Sequence, residues 1–327
     1  MIGNLGSGVD AGLSEQLRKL YWGQHLTIRQ IAQQIPTSRT LVRNSLLELG
    51  PLRAARKNRK PWSGTFSGEE NERAYLMGLR AGDLNAFRQS SQIIVGRVST
   101  THQALLELFQ QTFAPYGQCI MEPRKVFLTG YDWQIKIHLD NSFEFLIEEP
   151  LEVPTNRVLL YEFIAGLSDS DGCWCLFEDK GKTACAFMIS SQSKNLLVQL
   201  KKALEKECFH VYLYHDRMKG VTKIMHGVSG TKEIKLKKDS WRLDIHRREE
   251  VRMLARRLLP LSRHREKMQR MCLVLDEVNE LWESMGLRVA AIKNETKEQT
   301  GRTIKRAEIE YKARHPMAGK GGRRLDR

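Results

Sequence analysis

The middle of the chain repeats itself, and this repetition restricts the fold more than any other feature of the sequence. The first copy opens with ERAYLMGLRAGDL and the second with LYEFIAGLSDSDG, and each continues into strand-like and then helical sequence. Each copy closes with a similar strand, DWQIKIH in the first and SWRLDIH in the second. Self-similarity of this kind predicts two equivalent structural units. We therefore predict two helix–strand–strand–helix–strand–strand repeats, the first repeat over residues 61–150 and the second repeat over residues 151–287.

The second repeat is longer than the first. Its extra residues lie around 219–238, in the lysine-rich stretch KGVTKIMHGVSGTKEIKLKK. This stretch predicts a longer hairpin or an insertion. Earlier in the same repeat, Asp179-Lys180-Gly181 lies between two strand-like segments and predicts a hairpin turn.

The N-terminal region, residues 14–50, predicts three short helices. Thr27 and Ser38 are placed to cap the second and third helices, and Leu41 and Val42 are expected to face inward. Two helices joined by a tight turn, the second opening with polar and basic residues, are typical of a helix-turn-helix. An ordinary three-helix bundle with solvated charges is the alternative. The predicted DNA-reading residues on the exposed face of the third helix are Arg39, Thr40, Arg43 and Asn44.

The charge of the chain favours a polyanionic partner. Lys and Arg number 53 against 38 Asp and Glu, which gives a formal charge of +15, and the sequence pI is about 9.6. A basic protein that is merely soluble is the alternative. Residues 53–60 hold five basic residues and no acid, which predicts an extended basic linker in which Arg56 and Lys57 contact phosphates. For residues 288–327 we expect a frayed or disordered basic tail.

The remaining composition indicates an intracellular protein, cytoplasmic or in another intracellular compartment. The six cysteines show no CxxC spacing and are expected to be reduced thiols. The N-terminus has no charged segment followed by an apolar core, so no signal peptide is expected. No run of 18 apolar residues occurs, so no membrane partner is expected.

Small residues occur at helical spacing where each repeat opens. In the second repeat Gly166 and Ser170 are four residues apart and share one helix face, and in the first repeat Gly78 and Gly82 have the same spacing. Small residues at this spacing let two helix backbones approach closely. The two opening helices are therefore predicted to pack face to face.

An aspartate follows the last small residue in both repeats, at Asp83 and Asp171. Two unpaired carboxylates held close together repel each other, and a divalent cation removes that repulsion. Hard oxygen ligands suit magnesium. Metals bound by paired carboxylates can activate water and stabilise the leaving oxygen in phosphodiester hydrolysis. Two ordinary amphipathic core helices are the alternative, but they do not explain why an acid ends both.

The sequence IAGLSDSDG resembles the signature of the LAGLIDADG homing endonucleases, and LMGLRAGDL is a looser match to it. The resemblance covers roughly residues 70–275. It implies an α+β fold in which a pseudo-twofold pair of αββαββ units forms a basic saddle on DNA, here preceded by an all-α helix-turn-helix domain. It also implies a monomer that cuts both strands of a long double-stranded DNA target and uses Mg²⁺ or another divalent cation such as Mn²⁺.

The resemblance assigns roles to particular residues. It implies that Asp83 and Asp171 bind the metal, with the backbone carbonyls of Gly82 and Ser170 as further ligands. It implies basic residues beyond each sheet that polarise water and the phosphate. The candidates for that role are His264, Arg265 and Lys267. The candidates for contact with DNA on the sheets are Arg88, Gln92, Arg97, Lys180 and Lys182.

The first repeat departs from the family pattern. It has Arg80-Ala81 where the pattern has an apolar residue and an acid, and Leu84 where the pattern has glycine. Beyond its sheet it offers only Arg157 as a basic residue. These departures leave open unequal cutting of the two strands, or a protein that binds without cutting efficiently. Two other functions stay open: a transcriptional regulator that uses this scaffold, and an RNA-splicing maturase.

Overall fold

The computed structural model describes residues 11–24, 26, 28–35, 37–50, 52, 64–276 and 281–316. The chain divides into two compact units, Met1–Pro61 and Trp62–Arg327. Thr27 and the predicted basic linker, with Arg56 and Lys57, lie outside the described residues.

The N-terminal unit is helical over its described residues and has its own small core. The hydroxyl of Ser38 accepts a hydrogen bond from the backbone N–H of Leu41 (3.2 Å), which confirms Ser38 as a helix cap. Leu41 is 54% exposed, so its predicted inward position is wrong. It lies in the first helical turn, beside the stripe on which Val42 and Leu46 are buried. The elements are α1 (Ala11–Arg18), a π-helical turn (Lys19–Gly23), α2 (Ile28–Gln34) and α3 (Arg39–Leu49).

The second unit contains both repeats. The first repeat comprises α4 (Glu70–Ala81), β1 (Asn85–Ser90), β2 (Ile93–Thr100), α5 (Gln103–Phe113), β3 (Gln118–Val126), β4 (Gly130–Leu139) and a short 3-10 helix (Asn141–Leu146). The second repeat begins with α6 (Arg157–Asp171), β5 (Gly172–Asp179), β6 (Lys182–Ser191), α7 (Lys194–Lys206) and β7 (Tyr212–Arg217). It continues with β8 (Thr222–Gly227), β9 (Gly230–Lys235) and β10 (Ser240–Ile245). Three helices follow: α8 (Arg248–Leu258), α9 (Arg265–Asp276) and α10 (Trp282–Arg314).

Two four-stranded antiparallel sheets carry the strands of the repeats. The strand orders are β1-β2-β4-β3 and β5-β6-β10-β7, while β8 and β9 form a separate two-stranded sheet. Alternate strand residues such as Trp133 and Trp174 are buried in one apolar core between sheets and helices. The predicted α+β class is thus confirmed at the level of mixed helices and antiparallel sheets.

The turn between β5 and β6 is the predicted hairpin. Asp179 pairs with Lys182, which leaves Lys180 and Gly181 as the two loop residues. Both have positive φ, 51° and 77°. Two such residues in succession make the tight turn whose twist matches that of the paired strands.

The predicted disordered tail is wrong for residues 288–314, because these residues belong to the 33-residue helix α10. Thr303 and Ala307 lie four residues apart on its buried face, and the indole N–H of Trp133 donates to the carbonyl of Thr303 (3.1 Å). The buried residues are few among the many charged residues of this helix, so the sequence pattern did not indicate a buried face. Among the described helices, α10 included, none has both the length and the apolar composition to cross a membrane. Residues 317–327 of the predicted tail lie outside the described residues.

Candidate functional site

Helices α4 and α6 touch through their backbones at two glycines. A Cβ atom on Gly78 would overlap the carbonyl oxygen of Phe163, and one on Gly166 would overlap that of Tyr75. No side chain fits between the helices at these points. The predicted close approach of the two opening helices is confirmed, and it brings their C-terminal ends together.

The two predicted acids lie where these helices end. A Cβ atom on Gly82, just before Asp83, would lie 3.1 Å from the carboxylate Oδ2 of Asp171. Burial by surrounding protein and, next, the charge of Asp83 raise the pKa of Asp171 to about 6, although Lys267 opposes both. Burial also raises the pKa of Asp83. The structure thus joins the two carboxylates in one electrostatic site.

Lys267 on α9 lies against the end of α6. Its ammonium donates to the carbonyl oxygens of Ser168 (2.6 Å), Asp169 (2.8 Å) and Ser170 (2.7 Å). Desolvation lowers the pKa of Lys267 to about 8, although Asp169, Asp171 and Asp83 favour its charged form. A cation here stabilises the negative end of the α6 dipole. The carbonyl of Ser170, predicted as a metal ligand, therefore already accepts a hydrogen bond.

Asp169 is a structural centre of the site that the sequence analysis missed. Its side chain is fully buried and accepts hydrogen bonds from the hydroxyl of Tyr75 (2.6 Å), the backbone N–H of Arg263 (2.6 Å) and the hydroxyl of Ser262. Burial raises the pKa of Asp169, and these three hydrogen bonds oppose the rise. Asp169 therefore ties α4, α6 and the segment before α9 together. The first acid of IAGLSDSDG was the signal that could have identified it.

Of the three predicted basic residues, the structure brings Lys267 to the acids. His264 is buried, and its ring lies 5.2 Å from that of His102. Burial lowers the pKa of His264 to about 3, with help from Lys267 and His102, so the ring is neutral at pH 7. Arg265 donates to the side-chain oxygen of Gln299 on α10 (2.9 Å).

Two thiols lie just beyond Asp171 on the first strand of the second repeat. The sulfur atoms of Cys173 and Cys175 are 3.3 Å apart on one face of β5. The hydrogen bond from Cys175 lowers the pKa of Cys173 to about 6, and Arg270 and Lys267 assist. Both cysteines line a cavity of about 670 Å³ that Ser170 and Lys267 also border. The spacing Cys-x-Cys on a strand was the signal for their proximity.

The predicted contact residues of the first sheet lie on different faces. Arg97 alternates with the core residue Val98, so it points away from the core, with its guanidinium 5.6 Å from the ring of Phe87. Arg88 pairs across from the core residue Ile94 and is bound to Glu144 and Asn141 of the 3-10 helix. Gln92 is exposed in the turn between β1 and β2.

Most cations on the outer faces of the sheets are already paired with acids. In the second repeat, Lys180 occupies the β5–β6 turn and Lys182 points away from the core. Internal pairing reduces the positive charge that these faces present to a polyanion. The ion pairs are Lys136 with Glu122, Arg124 with Asp132 (2.6 Å) and Arg242 with Asp244 (3.0 Å).

In the N-terminal unit, the predicted DNA-reading residues share the exposed surface of α3. They are Arg39, Thr40, Arg43 and Asn44.

The two acids supply some of the ligands that a divalent cation needs, but not all of them. Asp83 and Asp171 supply two carboxylates: burial raises the pKa of both, and the charge of Asp83 adds to the rise at Asp171. A bound cation would relieve both effects. Within the described part of the chain, no group of three or more His, Cys, Asp or Glu side chains is placed to hold a metal ion. Any further ligands would therefore come from backbone carbonyls, water or substrate.

Comparison with solved structures finds similar folds at low identity, among them the following three. The homing endonuclease I-WcaI bound to its DNA recognition sequence is 14% identical, with 66% of this chain and 95% of that chain covered and a TM-score of 0.43. I-DmoI in complex with DNA and Ca is 14% identical, with 58% and 90% covered and a TM-score of 0.38. Full-length DUF199/WhiA from Thermatoga maritima is 15% identical, with 71% and 70% covered and a TM-score of 0.39.

No family model matches the sequence, and no curated protein matches it. The similarities to solved structures are too weak to assign a function, so function rests on the geometry of the site.

Proposed function

We propose that this protein is a site-specific, metal-dependent DNA endonuclease that hydrolyses phosphodiester bonds in both strands of a long double-stranded target. The observation that carries the proposal is the pair Asp83 and Asp171, brought together by the backbone contact of α4 with α6. Pure DNA binding has no need for two adjacent, mutually repelling acids. Their closeness is what phosphodiester hydrolysis at a metal requires.

The residues of the site have different proposed roles. Asp83 and Asp171 would hold the divalent cation, Mg²⁺ or Mn²⁺, which supplies water activation and charge stabilisation at the phosphate when bound. Lys267 holds the end of α6 and offsets the charge of the acids. Asp169 fixes Tyr75 and the segment before α9, which keeps both acids in position.

We extend the proposal to the arrangement of the two repeats and of the N-terminal unit. Each repeat runs helix, strand, strand, helix and then its remaining strands, and we take the two as halves related by a pseudo-twofold axis between α4 and α6. One chain then supplies both halves, and the protein acts as a monomer. The N-terminal unit, through Arg39, Thr40, Arg43 and Asn44, reads DNA as a helix-turn-helix.

Selection from a randomised duplex library tests the activity. The full chain is incubated with the library and Mg²⁺, and the new DNA ends are sequenced; we expect cuts at one sequence. Asp171→Asn should abolish cutting and leave DNA affinity within a few-fold. The matched control Asp179→Asn, an exposed acid at the far end of β5, the strand that follows Asp171, should cut normally. Specific retention of DNA without any cutting would overturn the nuclease.

A DNA-binding regulator is the second candidate, and one observation favours it. The ammonium of Lys267 already occupies the carbonyl of Ser170 and partly neutralises the acids. A built-in cation reduces the need for a metal. Calorimetric titration with Mn²⁺ separates the two: binding that is lost in Asp83→Asn supports the nuclease, and absence of binding in the unaltered protein supports the regulator.

A further inference from the structure

The second repeat carries an extra hairpin between its last two sheet strands. The first repeat turns directly from β3 to β4 over residues 127–129. In the second repeat β8 and β9 pair from Thr222 with Lys235 to Gly227 with Gly230. Below them, the N–H of Gly220 donates to the carbonyl of Leu236 (2.9 Å), so the pairing continues toward the sheet. We call residues 219–238 the strap.

The tip of the strap rests on the first repeat. The backbone N–H of Val228 donates to the carbonyl of Leu128 in the β3–β4 turn (3.2 Å). A Cβ atom on Gly227 would overlap the carbonyl oxygen of Phe127 and lie 3.0 Å from its carbonyl carbon. The strap therefore adds another link between the two repeats, at a point separate from the contact of α4 with α6.

Strand register places both ends of this link on the side of the sheets where the two acids lie. Strand β1 begins two residues after Asp83, and β2 returns to that end, where Thr100 pairs with Trp133 at the start of β4. The β3–β4 turn therefore leaves the first sheet at its acid end. By the same register, β6 returns to the start of β5, and Ser191 pairs with Trp241 at the start of β10. The strap thus leaves the second sheet at its acid end too, and it crosses between the sheets there.

The strap is exposed and strongly basic. Ile224 is 56% exposed and Val228 is 72% exposed, so the side of the hairpin that carries Ile224 is open to solvent. Residues 219–238 contain six lysines and one glutamate, a net charge of +5. The sheets themselves have most of their cations in ion pairs. The strap is therefore a concentrated source of positive charge on the side of the sheets where the acids lie.

We propose that the strap closes over duplex DNA held between the two sheets and contacts its phosphates, with the tip contact at Leu128 acting as a latch. This inference rests on the proposed DNA-binding function. Six strand residues span about 20 Å, which is comparable to the width of a duplex. The positive charge fits a phosphate backbone, whereas a lid that excluded DNA would gain nothing from it.

The salt dependence of binding tests the phosphate contacts. The triple variant Lys223→Ala, Lys232→Ala and Lys235→Ala should lower the slope of log affinity against log salt by about 2 to 3, because each lost phosphate contact removes about 0.9. An unchanged slope would overturn the proposal. The control variant replaces three exposed lysines on α7 and α10 and should leave the slope as it is: Lys202, Lys206 and Lys297.

A single substitution at the tip tests the latch. Gly227→Ala places a methyl group against the backbone of Phe127, whereas Ser229→Ala, two residues further along the tip, adds no atom. Dissociation from duplex should become about tenfold faster in Gly227→Ala, with association unchanged, and Ser229→Ala should behave as the unaltered protein. Faster association and tighter binding in Gly227→Ala would show that the strap excludes DNA.

The two proposals fail in different ways. If the unaltered protein retains and cuts duplex while all strap variants behave like it, only the strap proposal is wrong. If the unaltered protein retains no duplex, the proposed function fails and the strap proposal fails with it.

Discussion

Two glycines determine how closely the opening helices α4 and α6 approach, because a glycine has no Cβ atom. At Gly78 and Gly166 the facing backbone occupies the space of a Cβ atom. The distance between Asp83 and Asp171 therefore depends on this backbone contact. Any side chain at these positions forces the helices apart and moves Asp83 away from Asp171.

Gly166→Ala should therefore destabilise the protein. Overpacking against backbone costs about 1–3 kcal/mol, and urea unfolding measures it. The control is Gly301→Ala on α10, where a Cβ atom meets nothing within 4 Å. Because glycine in a helix is worse than alanine by about 0.5–1 kcal/mol, this control should stabilise the protein. Equal stability of Gly166→Ala and the unaltered protein would contradict the backbone contact.

His264 gives a pH-dependent prediction. Its pKa falls from the ordinary 6.5 to about 3 because it is buried. The unfolded chain takes up a proton below pH 6.5 and the folded chain does not, so stability is lost as the pH falls through this range. Between pH 6.5 and 4.5 the loss should be about 2 kcal/mol. His264→Gln should lose less over that interval, and parallel pH profiles for the two proteins would refute the neutral buried ring.

At the scale of elements, the buried face of α10 could not be recognised from the basic composition of residues 288–327. Its buried stripe contains Met285, Val289, Thr303 and Ala307, a small minority among 33 residues. Ion pairs four residues apart, such as Glu298 with Arg302 and Glu310 with Arg314, stabilise the exposed faces.

Ala307→Asp should destabilise the protein by several kcal/mol, because it buries an unpaired carboxylate (about 3–5 kcal/mol). Ile309→Asp, two residues along the same helix at a position 61% exposed, should change stability little. Thermal unfolding compares the two variants. If both were silent, α10 would not be packed as the structure shows.

The sequence predicted the elements that repeat and the extra hairpin around 219–238, but it missed the buried face of α10 and the contacts between distant segments. Gly78 and Gly166 were recognisable because the same spacing occurs twice, and their helices pack as expected. Lys267 was one of several basic candidates, and nothing in the sequence shows that its ammonium reaches three carbonyls at the end of α6. Asp169 was missed because its partners, Tyr75 and Ser262, are about 90 residues away along the chain. Contacts between distant segments depend on the packed fold, which local patterns do not encode.

At the scale of the whole molecule, the chain divides into an N-terminal unit and a larger unit, each with its own core. Deleting residues 1–61 should leave the unfolding midpoint of the larger unit nearly unchanged, because no core residue of that unit is removed. DNA affinity should fall more than the cutting rate of bound DNA. The full-length variant with Arg39→Ala and Arg43→Ala should reproduce the loss of affinity. Unchanged affinity in both would exclude the N-terminal unit as a DNA-binding module.

The contact of α4 with α6 also bears on how such proteins can be recombined. An interface made of interlocking side chains fits only its own partner, but one made of bare backbone at Gly78 and Gly166 is nearly generic. Either half could therefore be exchanged for a half from another protein with the same glycine contact, provided that it also keeps the hydrogen bond between Tyr75 and Asp169 that crosses the interface. In this chain the strap adds a further restriction on such a chimera, since the incoming half must also offer a turn on which Val228 can rest.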